Sequence, residues 1–301
     1  MHCIENEFEQ CLESIRSQTN IHWELFTIEN LPNKQAHDTL YSTFMERAKG
    51  FDFFIKIDAD MVLSRPTFFD EVIDAMNKNI DYDHFQIGVF DHFTDHIIYA
   101  LHVYRNSVKW QKTNEAYFVD MVNEPTKTKT YIKEDAPLVP AADHCPNPSD
   151  FQSFHFGLHK VSKVLQMNAS LFKTTYSKLH LETIRRVFEL NRNHFCMLGI
   201  IWAFEQKITS EEIDFSNNKV LMGFMEFENL SHQKRRKLID NWIKKNPFKL
   251  TNQKIWTEFV FLRIVKNQSY WKSAFYSFTK LYKEFFLSIL HHFRSFGVTM
   301  F

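Results

Sequence analysis

The chain has 301 residues with 36 lysines and arginines and 36 aspartates and glutamates, so its formal net charge at pH 7 is zero. A hydrophobic fraction of 44% and a charged fraction of 24% are ordinary for a soluble folded protein, and the length suits one large domain or a domain with an appendage. No apolar run reaches the roughly 18 residues that a membrane-spanning helix needs, so no such helix is predicted.

The cysteines and the first residues of the chain bear on its compartment. No C-x-x-C pair and no dense spacing occurs among the four cysteines, which are Cys3, Cys11, Cys145 and Cys196. This spacing favours free thiols in a reducing compartment over a disulfide framework or a zinc site. Residues 1–5 show neither the basic nor the apolar region of a secretory signal peptide. We therefore expect a cytoplasmic protein, peripheral at the inner face of a membrane if its basic tail binds lipid.

The net charge of zero hides a strongly basic C-terminal segment. Residues 231–301 hold 14 of the lysines and arginines but only 3 of the aspartates and glutamates, a local net charge of +11. Residues 1–230 then hold 22 basic and 33 acidic side chains, a net charge of −11. Basic residues interleaved with Trp242, Trp256 and Trp271 favour binding to an anionic membrane surface, and nucleic acid is the less favoured partner. The alternative is a helical subdomain that packs its aromatic side chains and turns its lysines to water.

Hydrophobic periodicity, helix caps and turn residues predict a regular succession of elements. The stripe Phe8, Cys11, Leu12 and Ile15 recurs at i, i+3, i+4 and i+7 and predicts the first helix. Further along the chain we predict a strand at 22–28, a helix at 34–50, strands at 53–57, 84–91 and 96–104, and helices at 66–79, 150–167 and beyond 231. This alternation of helices and strands predicts an α/β domain with a mostly parallel central sheet.

Two carboxylates, those of Asp58 and Asp60, directly follow the apolar strand predicted at 53–57. In open α/β sheets the ligand site lies beyond the carboxyl ends of the strands, so both side chains are expected at such a site. Because one residue separates them, an extended backbone would point both carboxylates the same way. Such oxygen ligands suit Mn²⁺ or Mg²⁺ shared with a phosphate group, whose charge the cation neutralises. The alternative is that the two aspartates only end the strand and cap a turn.

Two phrases of the sequence resemble the GT-A glycosyltransferases, in particular their family-2-like group. They are CLESIRSQT at 11–19 and FDFFIKIDADMVLSRP at 51–66, and the resemblance covers about residues 3–205. The resemblance implies a GT-A, Rossmann-like fold in which the D-x-D sequence, Asp58 to Asp60, holds Mn²⁺ or Mg²⁺ together with the diphosphate and ribose of a nucleotide-sugar donor.

The resemblance also implies how the chain is organised and what it does. We expect a nucleotide-sugar-binding and catalytic domain over residues 1–205 and a helical, basic and aromatic extension over residues 206–301. The implied function is that of a hexosyltransferase-type glycosyltransferase, which moves a sugar from a nucleotide diphosphate sugar to a glycan or lipid-linked acceptor in surface polysaccharide synthesis. One alternative is a nucleotidyltransferase of similar fold, although residues 1–20 lack its glycine-rich, arginine-containing phosphate loop. The other is a non-catalytic, degenerate transferase that binds membranes or nucleic acid.

The start of the chain departs from the pattern of this family. Family members begin with a full apolar strand, whereas this chain opens with MHCIENEFEQ. We interpret residues 2–4 as the end of that strand. Glu5, Asn6 and Glu7 then follow at the turn where the nucleotide base would lie, which makes Glu5 and Asn6 candidate donor-binding residues.

An inverting transferase needs a carboxylate base to deprotonate the acceptor hydroxyl. In similar enzymes this base often lies near the N-terminus of a helix, a position that Asp150 occupies at the S-x-x-Q capping box of Ser149 and Gln152. Asp143 is the other candidate. The alternatives are a helix cap for Asp150 and a turn residue among prolines for Asp143. If the enzyme retains configuration, neither need act as a base.

Histidines downstream of the D-x-D sequence supply a third metal ligand in many enzymes of the family. His155 and His159 are four residues apart and share one face of a predicted helix, so both are candidates, with His159 preferred. Lys160 follows directly and is a candidate for binding the donor phosphate. Because the chain has 15 histidines, surface or core histidines are the alternative, as is a solvated lysine.

Overall fold

The computed structural model describes residues 5–111, 127–131, 138–165, 171–208 and 212–246, except for the side chains of residues 171–179. Over these ranges the chain is a mixed α/β protein with eight α-helices and six strands. The helices are α1 (Phe8–Arg16), α2 (Asn33–Arg47), α3 (Phe68–Lys78), α4 (Asp150–Leu165), α5 (Leu171–Glu189), α6 (His194–Gln206), α7 (Asn218–Glu228) and α8 (His232–Lys245). The strands are β1 (Phe53–Lys56), β2 (Met61–Leu63), β3 (His84–Asp91), β4 (His96–Arg105), β5 (Thr128–Thr130) and β6 (Ala142–His144).

Most elements that the periodicity predicts are confirmed. The apolar stripe of the first helix is buried as expected, and β1, β3 and β4 lie where strands were predicted. The predicted strand at 22–28 is wrong, because these residues form no strand. Ile21 and Leu25 are largely exposed there, so this segment has too little apolar surface to bury for a place inside the sheet.

The sheet is mixed among the described strands, and the prediction of a mostly parallel sheet is wrong for them. The strand order is β1-β4-β3-β6-β2, with β5 paired to β3 beside this path. The pairs β1–β4, β3–β4 and β2–β6 are antiparallel, and only β3–β5 and β3–β6 are parallel. The reason is local, since the short connection between Asp91 and His96 permits only an antiparallel hairpin.

Helices cover both faces of the sheet and build a second core beyond it. On one face, α1 and α3 pack against β2, β3 and β4 around Val72, Phe85 and Ile87. On the other face, α2 packs against Tyr104 and Trp110. The second core belongs to the helices α4, α5, α6, α7 and α8, and Phe93 from the β3–β4 connection also contributes to it.

The C-terminal helix of the described residues belongs to this helical core. Ile239 of α8 is fully buried and Trp242 packs against the same cluster. The predicted boundary between residues 205 and 206 falls at the end of α6, and helices on both sides of it share the core, so the two-domain division stays a prediction. Most of the predicted basic tail, residues 247–301, lies outside the described residues. Within the described ranges, no helix is long and apolar enough to cross a membrane.

Candidate metal centre

The carboxyl ends of three strands that run in the same direction meet at the D-x-D sequence. Strands β1, β3 and β6 share one direction, because β4 is antiparallel to both β1 and β3, and β3 is parallel to β6. Asp60 follows β1 after a turn, Asp91 is the last residue of β3, and His144 is the last residue of β6. This is the edge where open α/β sheets place their ligands.

Backbone hydrogen bonds fix the register that brings these residues together. The turn after β1 closes where Met61 N donates to Asp58 O at 3.0 Å. Strand β2 then pairs with β6 so that Met61 lies opposite His144, and Cys145 N donates to Asp60 O at 2.8 Å. On the other side of β6, Asp91 pairs with His144. Residues far apart in the sequence therefore become neighbours through strand pairing alone.

Asp60, His144 and Cys145 form a cluster whose donor atoms suit a metal ion. One ligand atom from each residue lies within 4.8 Å of the other two. Asp60 Oδ2 is 3.5 Å from His144 Nε2, and it accepts a hydrogen bond from Cys145 Sγ at 3.2 Å. Asp60 Oδ1 is buried and has no hydrogen-bond partner among the described residues. A buried carboxylate oxygen without a partner is costly, and a cation is one group that would complete it.

Asp91 holds the imidazole of His144 in place. His144 Nδ1 donates to Asp91 Oδ1 at 2.7 Å, while Asp91 Oδ2 accepts from Thr94 N at 3.0 Å and from Thr94 Oγ1. Asp91 is fully buried, so both its oxygens are committed to these bonds. The arrangement leaves Nε2 of His144 directed at Asp60, which matches the carboxylate–histidine pairs that orient metal-binding histidines.

The cluster is electrostatically coupled. Burial opposes the charged form of His144, but the carboxylates of Asp60 and Asp91 outweigh this and raise its pKa to about 9. Burial would raise the pKa of Asp91, but its hydrogen bond to His144 and the imidazolium charge lower it to about 2. Burial raises the pKa of Asp60, and the charges of Asp58 and Glu5 add to this effect. A divalent cation would offset this surplus of carboxylates.

Within the cluster, Cys145 has the unusual backbone conformation. Its φ of 52° lies in the left-handed region, which residues with a side chain rarely adopt. Burial raises the pKa of its thiol well above the usual value, and Gln152 Nε2 donates to Sγ at 3.8 Å. The prediction of free thiols is confirmed for Cys11, Cys145 and Cys196. Strand pairing, rather than a C-x-x-C pair, places the thiol of Cys145 beside Asp60.

Asp58 has a different environment from Asp60. Its Oδ1 lies 3.0 Å from Nζ of Lys56, which is almost completely buried in β1. The backbone of Ala59 and Asp60 forms a turn, so the extended geometry from which a shared direction of the two carboxylates was expected is not present. Asp58 is outside the cluster of potential ligands and acts on it through its charge.

The residues before α1 are fastened to the start of α4. Asn6 N donates to Gln152 Oε1 at 3.0 Å, and Asn6 Nδ2 donates to Asn147 O at 2.8 Å. The buried carboxylate of Glu7 accepts from Asn147 N and from Gln152 Nε2, each at 2.9 Å. The charge of Glu5 is felt at Asp60, so Glu5 lies near the cluster, whereas the polar groups of Asn6 are already used in holding the two segments together.

Lys160 lies on α4 at the back of the cluster. Its Nζ is 4.5 Å from the centroid of the Phe156 ring, and the same ring lies beside His144 with centroids 6.2 Å apart. Burial lowers the pKa of Lys160, while the charges of Asp91 and Asp60 oppose this. The structure therefore brings Lys160 close to the predicted metal-binding residues.

The two candidate bases occupy different surroundings. Asp143 lies in β6 next to His144, but successive residues of a strand face opposite sides, so its carboxylate meets His92 Nε2 at 3.2 Å instead of the cluster. Asp150 is exposed as the first residue of α4. The capping box next to it is confirmed, because Gln152 N donates to Ser149 Oγ at 3.1 Å and Ser149 N donates to Gln152 Oε1 at 3.3 Å.

The structure places His144, and neither His155 nor His159, beside Asp60. His155 Nε2 lies 2.6 Å from the carbonyl oxygen of Ile213, and burial lowers its pKa. Burial also lowers the pKa of His159 well below its usual value, with the charges of neighbouring lysines adding to this. The helical spacing of the two histidines was misleading, since His144 is brought to Asp60 by strand pairing. No periodic pattern in the sequence identifies His144 as a neighbour of the D-x-D sequence.

A cavity of about 300 Å³ adjoins the D-x-D turn. It lies between α1, α2, α3 and β1, and the segment 20–27 forms one of its walls. Ala59, between the two aspartates, lines it together with Lys56, while Trp23, Phe26 and Arg47 line it further along. This size and mixture of aromatic and charged groups suit a small ligand with a flat ring.

Comparisons of the chain with protein-family models, with curated proteins and with solved structures find no match. The resemblance of two sequence phrases to GT-A glycosyltransferases therefore has no independent support from relatives. Any function must be inferred from the chemistry of the site itself.

Proposed function

We propose that this protein is a metal-dependent glycosyltransferase that moves a sugar from a nucleotide diphosphate sugar to a glycan or lipid-linked acceptor. The observation that carries the proposal is the buried, unpartnered Oδ1 of Asp60 beside His144, at the carboxyl ends of three strands that share one direction. Such an edge of an α/β sheet, provided with a cation, is suited to binding a diphosphate.

The cation would be held by Asp60 and His144, with Asp91 orienting the imidazole. When bound, it would neutralise the negative charge that develops on the leaving diphosphate. Asp58 adds negative charge nearby without competing for the same position, because its carboxylate is paired with Lys56. Lys160, on α4, lies close enough for the charges of Asp91 and Asp60 to act on its amino group.

The cavity beside the D-x-D turn suits the nucleoside part of the donor. Trp23 and Phe26 offer aromatic faces for a base, and base–aromatic stacking is worth about 1–3 kcal/mol per base. Ala59 lines the cavity and precedes Asp60 in the turn, so a nucleoside in the cavity would lie beside the turn that carries Asp60.

The carboxylate of Asp143 faces away from the cluster, so Asp143 and Asp150 both stay candidates for the base that accepts the proton of the acceptor hydroxyl. Asp143 pairs with His92 at 3.2 Å, which holds the carboxylate in one orientation while it stays accessible to solvent. Asp150 has no such partner in the described part of the chain and fits the role of an acidic residue at a helix N-terminus.

A thermal-shift panel tests the proposal. The full chain would be heated with UDP, GDP, CMP or dTDP, each with and without Mn²⁺, Mg²⁺, Zn²⁺ or Co²⁺. A nucleotide at about 100 times its dissociation constant adds about 2.7 kcal/mol of stability, so one nucleotide should raise the melting temperature only when the cation is present. Asp60→Asn should abolish that shift.

The matched control is Asp74→Asn, which removes an exposed carboxylate on α3. It should melt and shift like the unaltered chain. Failure of every nucleotide to shift the melting temperature, with cation present, would count against a nucleotide-sugar transferase.

A further inference from the structure

The cluster beside Asp60 contains a thiol, and this departs from the all-oxygen set that Mg²⁺ prefers. Mg²⁺ favours octahedral oxygen ligands, whereas a set of one thiolate, one imidazole and one carboxylate is typical of Zn²⁺ and ions like it. Asp60, His144 and Cys145 offer these three donors within 4.8 Å of one another.

We propose that Cys145 is a metal ligand, and that Asp60, His144 and Cys145 form a three-residue site for a borderline ion such as Zn²⁺ or Co²⁺, with a further position open. The inference deepens the proposed function, since it names the class of cation at the same site. It rests on the proposed function only for the identity of the ligand that occupies the open position. Three protein ligands and an open position are the arrangement of catalytic zinc sites.

The backbone supports this assignment independently of the side chains. Cys145 adopts a left-handed conformation with φ of 52°, and its N–H is fixed to Asp60 O at 2.8 Å. A residue other than glycine in that region is strained, and the surrounding structure must compensate for this strain. The result of this geometry is that Sγ turns back toward the carboxylate of Asp60, 3.2 Å away.

The groups around the three ligands are those that a metal site requires. Asp91 fixes His144 through Nδ1 and leaves Nε2 toward the cluster. Gln152 approaches Sγ from the other side at 3.8 Å, as a donor that can stabilise a thiolate. Asp60 Oδ1 is the buried oxygen for which the described residues provide no partner.

Ligation changes the bonds of the cluster in a balanced way. The S–H bond of Cys145 and the Nε2–H bond of the His144 imidazolium break, both protons pass to solvent, and the electron pairs of sulfur and Nε2 form the bonds to the cation. The hydrogen bond from Sγ to Asp60 Oδ2 is replaced by two bonds to one shared ion. No oxidant or reductant takes part.

Titration of the full, metal-free chain with Co²⁺ tests the proposal through absorption. Thiolate ligation gives a charge-transfer band in the near ultraviolet, which ligation by oxygen and nitrogen alone does not give. The band should appear with one Co²⁺ per chain and should disappear on adding Zn²⁺. Mg²⁺ in large excess should leave it unchanged, and loss of the band in Mg²⁺ would overturn the inference without any need for a variant.

The decisive variant is Cys145→Ser. It should lose the band and bind Co²⁺ more weakly by at least about tenfold. Mutating a residue that only hydrogen-bonds to a metal ligand already lowers metal affinity by that factor, and loss of a ligand should lower it further. Cys196→Ser and Cys11→Ser, buried cysteines outside the cluster, are the matched controls and should keep the band. A band that survives Cys145→Ser, or Co²⁺ binding without any band, would overturn the inference.

These outcomes separate the metal site from the proposed function. A Co²⁺ band that depends on Cys145, without any nucleotide shift, would leave the metal site standing and remove the transferase proposal. A cation-dependent nucleotide shift of full size in Cys145→Ser would leave the transferase standing and remove the thiolate.

Discussion

Two buried histidines show how strongly the neighbours of one residue decide its chemistry. His144 lies between the carboxylates of Asp60 and Asp91, which raise its pKa to about 9 against the effect of burial. His194 of α6 lacks such partners: burial lowers its pKa to about 4, and the positive charges of α8 add to this. Desolvation favours the neutral imidazole at both positions, so the difference comes from the neighbouring charges, which are carboxylates at His144 and mainly cations at His194.

His194 should make the protein less stable in acid. Burial and the charges of His232, Arg235 and Arg236 lower its pKa from the ordinary 6.5 to about 4, although Asp240 opposes them. Below pH 6.5 the unfolded chain binds a proton that the folded chain does not, so the contribution of the neutral histidine falls between pH 6.5 and 4. We expect the free energy of unfolding of the unaltered chain, relative to His194→Gln, to fall by about 2 kcal/mol over this range.

Urea denaturation of both proteins at pH 7.5 and at pH 4.5 measures this difference. His96→Gln controls for the removal of a histidine from the exposed end of β4. A difference between the unaltered chain and His194→Gln that stays constant with pH would contradict the prediction.

At the scale of the secondary-structure elements, α4 and α6 pack closely against each other. A Cβ added at Gly157 would lie 2.0 Å from the carbonyl oxygen of Cys196, and one at Gly199 would lie 2.0 Å from that of Phe154. The two backbones therefore touch through glycine on both sides. This contact fixes α4, and with it Lys160 and Gln152, relative to the helical core.

Replacing Gly199 by alanine should destabilise the protein. Alanine gains about 1 kcal/mol of helix propensity over glycine, but its methyl group would require α4 and α6 to separate. Overpacking of this kind typically costs about 1–3 kcal/mol, and because the obstacle is backbone rather than a flexible side chain we expect a net loss of at least about 1 kcal/mol. Urea denaturation measures it.

Gly50→Ala provides the matched control for this substitution. A Cβ at Gly50 would meet no atom within 4 Å, so this variant should be as stable as the unaltered chain. Equal stability of Gly199→Ala and Gly50→Ala would show that the two helices do not touch as described.

At the scale of the whole molecule, charge is separated along the chain. Residues 1–230 carry a net charge of −11 and residues 231–301 a net charge of +11. Part of the basic segment is α8, whose Ile239 is buried in the helical core while Lys234, Lys237 and Lys244 are exposed. Over α8 this matches the alternative in which the segment packs its apolar side chains and turns its lysines to water, and membrane binding stays a prediction.

The structure decides where the chain should be shortened to test membrane binding. Ending the chain near residue 230 would remove Ile239 from the core, so the cut belongs after residue 246, where 8 basic and 2 acidic residues are lost. Each basic residue near an anionic surface is worth about 1 kcal/mol, so engagement of only two implies a loss in affinity of more than about tenfold. We expect the shortened chain to bind vesicles containing phosphatidylserine more weakly by this amount.

Vesicle co-sedimentation at two salt concentrations measures the effect, with neutral vesicles as the control. Binding of the full chain should fall as salt rises, because the attraction is screened. Undiminished binding of the shortened chain would assign any membrane contact to the residues that remain.

Local patterns in the sequence determined much of this fold. The stripe of α1, the limits of β3 and β4, and the capping box of Ser149 and Gln152 all depend on the burial and backbone geometry of residues within a few turns or strand positions of one another. The placement of Asp60 just beyond an apolar strand is of the same kind. Such features are specified by neighbours in the chain, so periodicity and cap chemistry are sufficient to predict them.

The partners of Asp60 were decided by the tertiary structure. His144 and Cys145 reach it because β2 pairs with β6 at one register and β6 pairs with β3 at another. A shift of one residue in either register would turn His144 to the other face of the sheet, and no local pattern encodes that choice. Strand register depends on the packing of the whole sheet against its helices, which is why the sequence indicated the carboxylate and only the fold supplied the imidazole and the thiol.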